Sequence, residues 1–503
     1  MKFKIVLLTF SFFTFFSNAQ NEFDALRYSQ QNIYGTAKAT SLGGAFGALG
    51  GDFSCLSYNP AGIGMYQFTE ITFSPSFTLN NTTSYNNKII LLDDITYTEK
   101  FDENISKGSI GNFGFIFSNP KSNNNWKRIN FGIGANQLAN YDKNIYINTL
   151  NNTSSLADNL LSVAQGNTIN ELDVFFGSPA FWTDIIDLQN NSVDTSLNEY
   201  LYDNGNYISH VMSNGLKRQT HQFNSNGDMH EFVLSLGTSF EEKLYLGATI
   251  GIPTFEYSEV INHREDIFSD TINNLGSFEY MQNLYANGEG LNLKLGGIYR
   301  LNDNIKIGGA LHTPTVFNIQ EEFRTITQAN FTDTSYREYS PINYFEYELT
   351  TPWKAIASIS ANIDNRILLS ADYEIIDYST SKLRANNLRN DDGTEIFYNE
   401  NNNIESNYGK TENIRLGVEY KMDTYSFRAG YIRNSSPLLE NEEILSENFS
   451  FGTGINYGSY YFDLAYILSQ RSDNYQMYNS EFINSTELVY TNHNVVITLG
   501  LRY

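Results

Sequence analysis

"EFVLSLGTSFEEKLYLGATIGI", Glu231 to Ile252, reads as two strands around a tight Glu241-Glu242 turn. Phe232, Leu234, Leu236 and Phe240 share one face of the first strand. Leu244, Leu246, Ala248 and Ile250 share one face of the second. A period of two marks a strand whose faces meet unlike surroundings. Outward from this hairpin the pattern repeats. "TEITFSPSFTL" puts Ile71, Phe73, Phe77 and Leu79 on one side, and Glu70, Thr72, Ser74, Ser76 and Thr78 on the other. In "INFGIGAN", Ile129, Phe131 and Ile133 alternate with Asn130, Gly132, Gly134 and Asn136.

Fourteen such segments are expected: 67–80, 109–118, 129–137, 230–240, 243–258, 290–300, 305–320, 344–362, 366–378, 411–421, 425–434, 448–458, 460–470 and 493–503. Short turns, such as Leu301 to Asn304, alternate with long loops rich in Asn, Asp, Glu and Ser. About ten residues per strand, an even strand count and short/long alternation together describe an all-β fold: an antiparallel transmembrane β-barrel. Tyr299, Tyr373, Tyr420, Tyr431, Tyr457, Tyr460 and Tyr503 stand near strand ends, where an interfacial aromatic girdle belongs. The longest excursion, 138–229, carries "NLLSVAQG" and "SPAFWTDIIDL", which read as short helices. Its apolar Phe175, Phe176, Phe181, Trp182, Ile185 and Ile186 require something to pack on.

Composition agrees. Aromatic residues make up 15% of the 503 and charged residues 17%, against a net charge of -24. The acidic excess argues against a nucleic-acid partner. Lys2 and Lys4, the apolar run Ile5 to Phe16 and the small-x-small Ser17-Asn18-Ala19 read as a secretory signal peptide over 1–19. The one cysteine, Cys55, leaves no disulfide framework and no thiolate metal site.

Residues 20–66 precede the first strand. "SLGGAFGALGGDFSCLSYNPAGIG" is too apolar for a linker, with Ile33, Leu42, Phe46, Leu49, Phe53, Leu56 and Ile63 in or near it. It lacks the G-x-x-x-x-G-K-[ST] phosphate pattern. Folded into the lumen as a hatch, it buries those side chains, and its glycines permit crowding and positive φ. The domains are then a signal peptide (1–19), a hatch (20–66) and a barrel (67–503).

"GTAKATSLGGAFGALGGDFSCLSYNPAGIG" resembles the hatch of the FadL family of outer-membrane transporters of hydrophobic compounds, which includes TodX-type aromatic hydrocarbon channels. The matching positions are Asp52, Ser54, Asn59, Pro60, Ala61 and Gly62. "LNLKLGGIYRLNDNIKIGGALHTP", "PWKAIASISANIDNRILLSADYEIIDYS" and "IRLGVEYKMDTYSFRAGYIRNSSP" resemble the family's hairpins. The resemblance implies a fourteen-stranded barrel in the cell outer membrane, among outer-membrane lipids. It implies passive uptake of a small hydrophobic molecule, fatty-acid-like or aromatic, without cofactor or enzymatic step. Capture by the extracellular loops, a lumenal site above the hatch and lateral exit at a kinked third strand would follow. Gly132 and Gly134 are the candidates for that kink, and Asp52, Asn59, Pro60, Ala61 and Gly62 for shaping the ligand site. An acidic ligand calls for a lumenal cation. By parity Lys294, Lys354, Arg415 and Arg428 point inward, as do the acids Asp372, Glu374, Glu419 and Asp463, with mutual pairing as the competing reading.

Two other functions stay open. One is an accessory or scaffold barrel in an outer-membrane secretion or assembly complex, with 138–229 as the docking surface. The other is a haem receptor, although the sequence shows no clear paired-histidine site. The six histidines form no metal-binding spacing, and "NDDGTE" at 390–395 lacks the full EF-hand pattern. His312, inward by parity, reads as a hydrogen-bonded lumenal histidine rather than a catalytic one.

Overall fold

The computed structural model describes residues 22–503, apart from 33–34, 90–95, 121–124, 190–192, 195–198, 201–204, 269–273, 386–387, 390–392 and 440–443. The signal-peptide reading, Ile33 and part of the 390–395 loop therefore lie outside the described residues.

Fourteen antiparallel strands close on themselves. They are β1 Glu70–Ile89, β2 Thr96–Pro120, β3 Trp126–Asn140, β4 Lys217–Phe240, β5 Leu244–Ile267 and β6 Leu275–Arg300. β7 runs as Ile305–His312 and Val316–Phe331, and β8 as Asn343–Thr350 and Lys354–Ile363. The circuit continues with β9 Ile367–Asp377, β10 Lys410–Met422, β11 Tyr425–Ser435, β12 Ile444–Asn456, β13 Tyr460–Tyr475 and β14 Thr486–Arg502. Closure is made by β14 on β1, from Glu70↔Arg502 to Tyr85↔Glu487.

The expected facing holds. Phe73, Phe77 and Leu79 are exposed on the outer wall, while Ser74, Ser76 and Thr78 are buried inside. Phe232, Leu234 and Leu236 behave like Phe73. An apolar exterior suits lipid, which offers the backbone no hydrogen bonds and so demands a sheet without edges. Tyr299, Tyr420, Tyr457, Tyr460 and Tyr503 ring the turn end, exposed. The Glu241-Glu242 turn has φ of 50° and 54°, and Asp364-Asn365 has 51° and 55°. These left-handed pairs match the twist of two-residue hairpins.

Three features differ from the sequence reading. The strands β1, β2 and β4–β6 run well past the apolar band, because the sheet continues beyond the bilayer where neither face need be lipid-like. The 138–229 excursion is correspondingly shorter. β3 reaches Asn140, residues Lys143–Asn151 pair with the outer end of β4, and β4 itself begins at Lys217. The described residues between 152 and 216 fold as a cap with helices α4 Leu156–Ala164 and α5 Gly177–Trp182. Finally, β7 and β8 break side by side at Pro314 and Pro352, which cannot donate to a ladder. Across the break Thr351 N donates to Thr315 O at 2.9 Å, and Thr315 N donates to Thr351 Oγ1 at 2.9 Å.

Inside the ring lie α1 Glu22–Ser29, α2 Ala37–Ser41, α3 Cys55–Tyr58 and a 3₁₀ turn, Pro60–Met65. Ala39, Leu42, Phe46, Phe53, Leu56 and Ile63 are fully buried there, as is free Cys55. The glycine pairs 43–44 and 50–51 all have φ between 65° and 68°, which lets the chain reverse twice within one lumen width. The wall is cut back to receive the segment. A Cβ on Gly114 would lie 2.0 Å from the Phe53 ring, and one on Gly134 would lie 2.6 Å from it.

Gly114→Val therefore displaces Phe53 and lowers the temperature at which the folded barrel loses its compact migration on semi-native gels. Gly108→Val, where a Cβ meets nothing within 4 Å, leaves that temperature unchanged. Equal behaviour of the two variants contradicts the packing described.

Candidate functional site

The hatch residues singled out by sequence form the floor of the lumen. Asn59 Nδ2 donates to Gly47 O at 2.6 Å and to Gly297 O at 3.3 Å, while its Oδ1 caps the 3₁₀ turn by accepting from Ala61 N at 3.1 Å. Pro60 starts that turn, where its missing N–H costs nothing. The Asp52 carboxylate accepts from Thr36 Oγ1 at 2.8 Å and from Ser54 N at 2.9 Å. Gly62 packs on Cys55 and Gly50. These residues tie two loops of the hatch to each other and to β6. None of them lines the cavity above.

The four inward cations are all placed in the lumen, and each is paired. Lys294 bonds Glu231, which also accepts from Ser57 Oγ and Asn292 Nδ2, each at 3.1 Å. Arg415 meets Glu374 at 2.7 Å, and Lys354 lies 3.8 Å from the same carboxylate and 2.7 Å from Gln31 Oε1. Arg428 bridges Glu419 at 2.5 Å and Asp463 at 2.6 Å. Asp372 instead accepts the backbone N–H groups of Phe46 and Gly47, both at 2.9 Å, pinning the hatch. Of the four cations only Arg415 lines the cavity. His312 Nε2 lies 2.9 Å from Tyr58 O, bonded to the hatch rather than to a serine.

Above this floor is a cavity of about 480 Å³, between α1 and the inner wall of β10–β14 and β1. The sequence does not reveal α1's part in it. Tyr28 stacks on Phe255 at 4.2 Å, and Arg27 lies over the Tyr257 ring at 4.3 Å while bonding Asp24 and Glu259. These contacts fix the helix to β5, and Phe23 and Leu26 then line the cavity. The lining is mixed, with asparagine and threonine beside Phe223, Tyr378 and Ile467.

On the seam between β2 and β3 the ladder runs from Pro120↔Arg128 to Asn112↔Asn136 and ends there. Beyond it the strands are joined by side chains. Ser109 Oγ donates to Gln137 Oε1 at 3.0 Å, and Lys107 reaches Asp142 at 3.2 Å and Asp228 at 3.4 Å. The register of β3 against β4 shifts at Gln137/Ala139. Gly132 and Gly134 lie in continuous register, making room for Leu56, Ile63 and Phe53 of the hatch. The Gln137/Ala139 register shift of the third strand lies a few residues beyond Gly132 and Gly134.

The cap buries Phe181, Ile185 and Ile186, stacks Phe176 on Tyr280, and leaves Trp182 exposed. A hydrogen-bond chain holds it down. The Glu265 carboxylate accepts from Ser155 Oγ at 2.6 Å and Leu156 N at 2.8 Å, the start of α4. His263 Nε2, 3.2 Å away, must donate to that carboxylate. His263 Nδ1 lies 3.2 Å from His221 Nδ1, and His221 Nε2 lies 2.8 Å from the Tyr475 hydroxyl. Each ring nitrogen of the pair thus has a partner. Sequence spacing could not show this histidine pair, which arises from the β4/β5 register His263↔His221. Burial pushes the His221 pKa well down, and neighbouring His263 adds to it.

No family model matches the sequence, and no curated protein matches it. Solved structures do. The chain is similar to the CymD monoaromatic hydrocarbon channel at 10% identity and TM-score 0.51, covering 94% of this chain and 98% of that one. It is similar to a Pseudomonas aeruginosa FadL homologue at 12% identity and TM-score 0.53, covering 94% and 99%. The chain has the fold of these channels.

Because the folded state disfavours a proton on His221, unfolding the cap takes one up below the imidazole's ordinary pKa of about 6.5. Cap stability is therefore full above that pH and falls as the pH drops below it. Hydrogen exchange of α4 amides should quicken between about pH 7.5 and about pH 5 relative to the β4–β5 hairpin. His221→Phe should abolish that extra acceleration, and persistence of it in the variant contradicts the chain.

Proposed function

We propose that the protein is a passive outer-membrane channel for uptake of small hydrophobic or amphiphilic molecules. The observation that carries this reading is the cavity itself, standing on a hatch that is bonded to the wall by Asp372, Asn59 and Ala37 N→Thr498 Oγ1. A lumen built only for strength would be filled to the top. A ligand captured under the cap would rest above this floor and leave through the wall, since a lipophile gains nothing by entering the periplasm. The end of the β2–β3 ladder supplies the place, where a few side-chain bonds replace a backbone ladder. The architecture shared with channels for hydrophobic compounds supports the same class of function.

The scaffold reading needs an apolar cap surface free for a partner, and most of the cap's apolar side chains are instead buried beneath it. The haem reading needs imidazoles open to an iron, and His221 and His263 are turned toward each other in a closed chain.

Ser109→Cys with Gln137→Cys places thiols on the two sides of the seam that their side-chain hydrogen bond now spans, within reach of a short, reducible bifunctional thiol reagent. Crosslinking should cut uptake of a labelled hydrophobe by cells expressing the double variant several-fold, and reduction should restore it. Unchanged uptake with the crosslink complete rules out exit at this seam.

A further inference from the structure

The cavity has two unlike walls. Phe23 and Leu26 of α1 form one. Opposite them, Asn448 of β12, Ser469 of β13, Asn492 of β14 and Asn80 of β1 are direct register neighbours. They make one row across four strands, about 14 Å long at the usual strand spacing. Asn494 lies beside this row, paired with Ile467 and Thr78. All five polar residues line the cavity.

Three of their oxygens have no protein donor: Asn448 Oδ1, Asn494 Oδ1 and Asn80 Oδ1 are shielded and accept no hydrogen bond from a protein group, and the Asn494 residue is only 8% exposed. A shielded acceptor without a donor is costly, so three around one cavity point to an occupant carrying O–H or N–H groups. A carboxamide also donates, so a row of them matches adjacent hydroxyls that both give and receive.

The cations that line the cavity each hold a contact within the protein. Lys143 and Arg471 lie over the Tyr490 ring, at 4.4 Å and 4.9 Å. Arg27 holds Asp24 and Glu259. Arg415 keeps two nitrogens, Nε and Nη1, without a hydrogen-bond partner, but a carboxylate approaching it meets Glu374, already 2.7 Å from the same guanidinium.

We propose that the cavity binds an amphiphile with a neutral, polyhydroxylated head, the chemistry an alkyl glycoside presents. The head hydroxyls meet the amide row and the chain lies along Phe23 and Leu26. This inference rests on the uptake reading and narrows its substrate class.

The test uses the full chain in lipid nanodiscs free of glycoside detergent. Octyl glucoside below its micellar concentration, laurate and dodecane are titrated in turn, with binding read by calorimetry. Octyl glucoside should bind more tightly than laurate. Asn448→Leu or Asn494→Leu should weaken the glycoside about tenfold, the loss of one or two hydrogen bonds, and leave laurate unchanged. Tighter binding of laurate by the unmodified protein overturns this inference and leaves the uptake reading standing, as does glycoside binding that neither variant changes. Failure of all three probes to bind overturns both.

Discussion

A sheet inside a bilayer must pair every backbone group, because lipid offers no alternative partner. Closing fourteen strands meets that requirement, and most of the remaining structure follows from it. A ring of this size encloses more space than its own side chains fill. The chain fills the lower part with its N-terminal segment, whose small residues let helices and reversed loops approach the wall. Wall glycines such as Gly114 and Gly134 answer with matching recesses for Phe53. The upper part is bounded by α1 and left open.

The lumen is also where the charges are. Glu231 with Lys294, Glu374 with Arg415 and Lys354, and Arg428 with Glu419 and Asp463 are buried groups balanced locally. Such pairs add little net stability, but removing one partner strands a buried charge at a cost of about 3–5 kcal/mol. They fix strand-to-strand geometry and hold the hatch, and apart from Arg415 and its partner Glu374 they lie away from the cavity. The cap follows different rules. Its hold on the barrel includes the buried His221, whose burial disfavours a proton, and the Glu265 carboxylate, so it weakens in acid.

All fourteen strands were legible in the sequence because lipid imposes one face on each of them, as Phe73, Leu234 and Leu246 show. Above the bilayer the constraint disappears, and the outer reaches of β4–β6 and the strand Lys143–Asn151 lost their periodic signal. Parity turned Lys294, Lys354, Arg415 and Arg428 inward, and in the structure all four pair with lumenal acids. It could not choose their partners, and Glu231 escaped notice although it opens the quoted hairpin. Asn59 and Asp52 stood out by motif, yet they serve the floor. The cavity's own polar row was illegible, since Asn448, Asn492 and Asn80 become neighbours only through the register of β12–β14 and the closure of β14 on β1.

Native mass spectrometry of the protein extracted gently from its own membrane tests the central claim most directly. A channel with a ligand cavity over a fixed floor predicts a small amphiphile bound at about one per chain and released by mild activation. Protein without any small molecule, carrying a stoichiometric protein partner instead, would contradict it and turn attention to the cap as a docking surface.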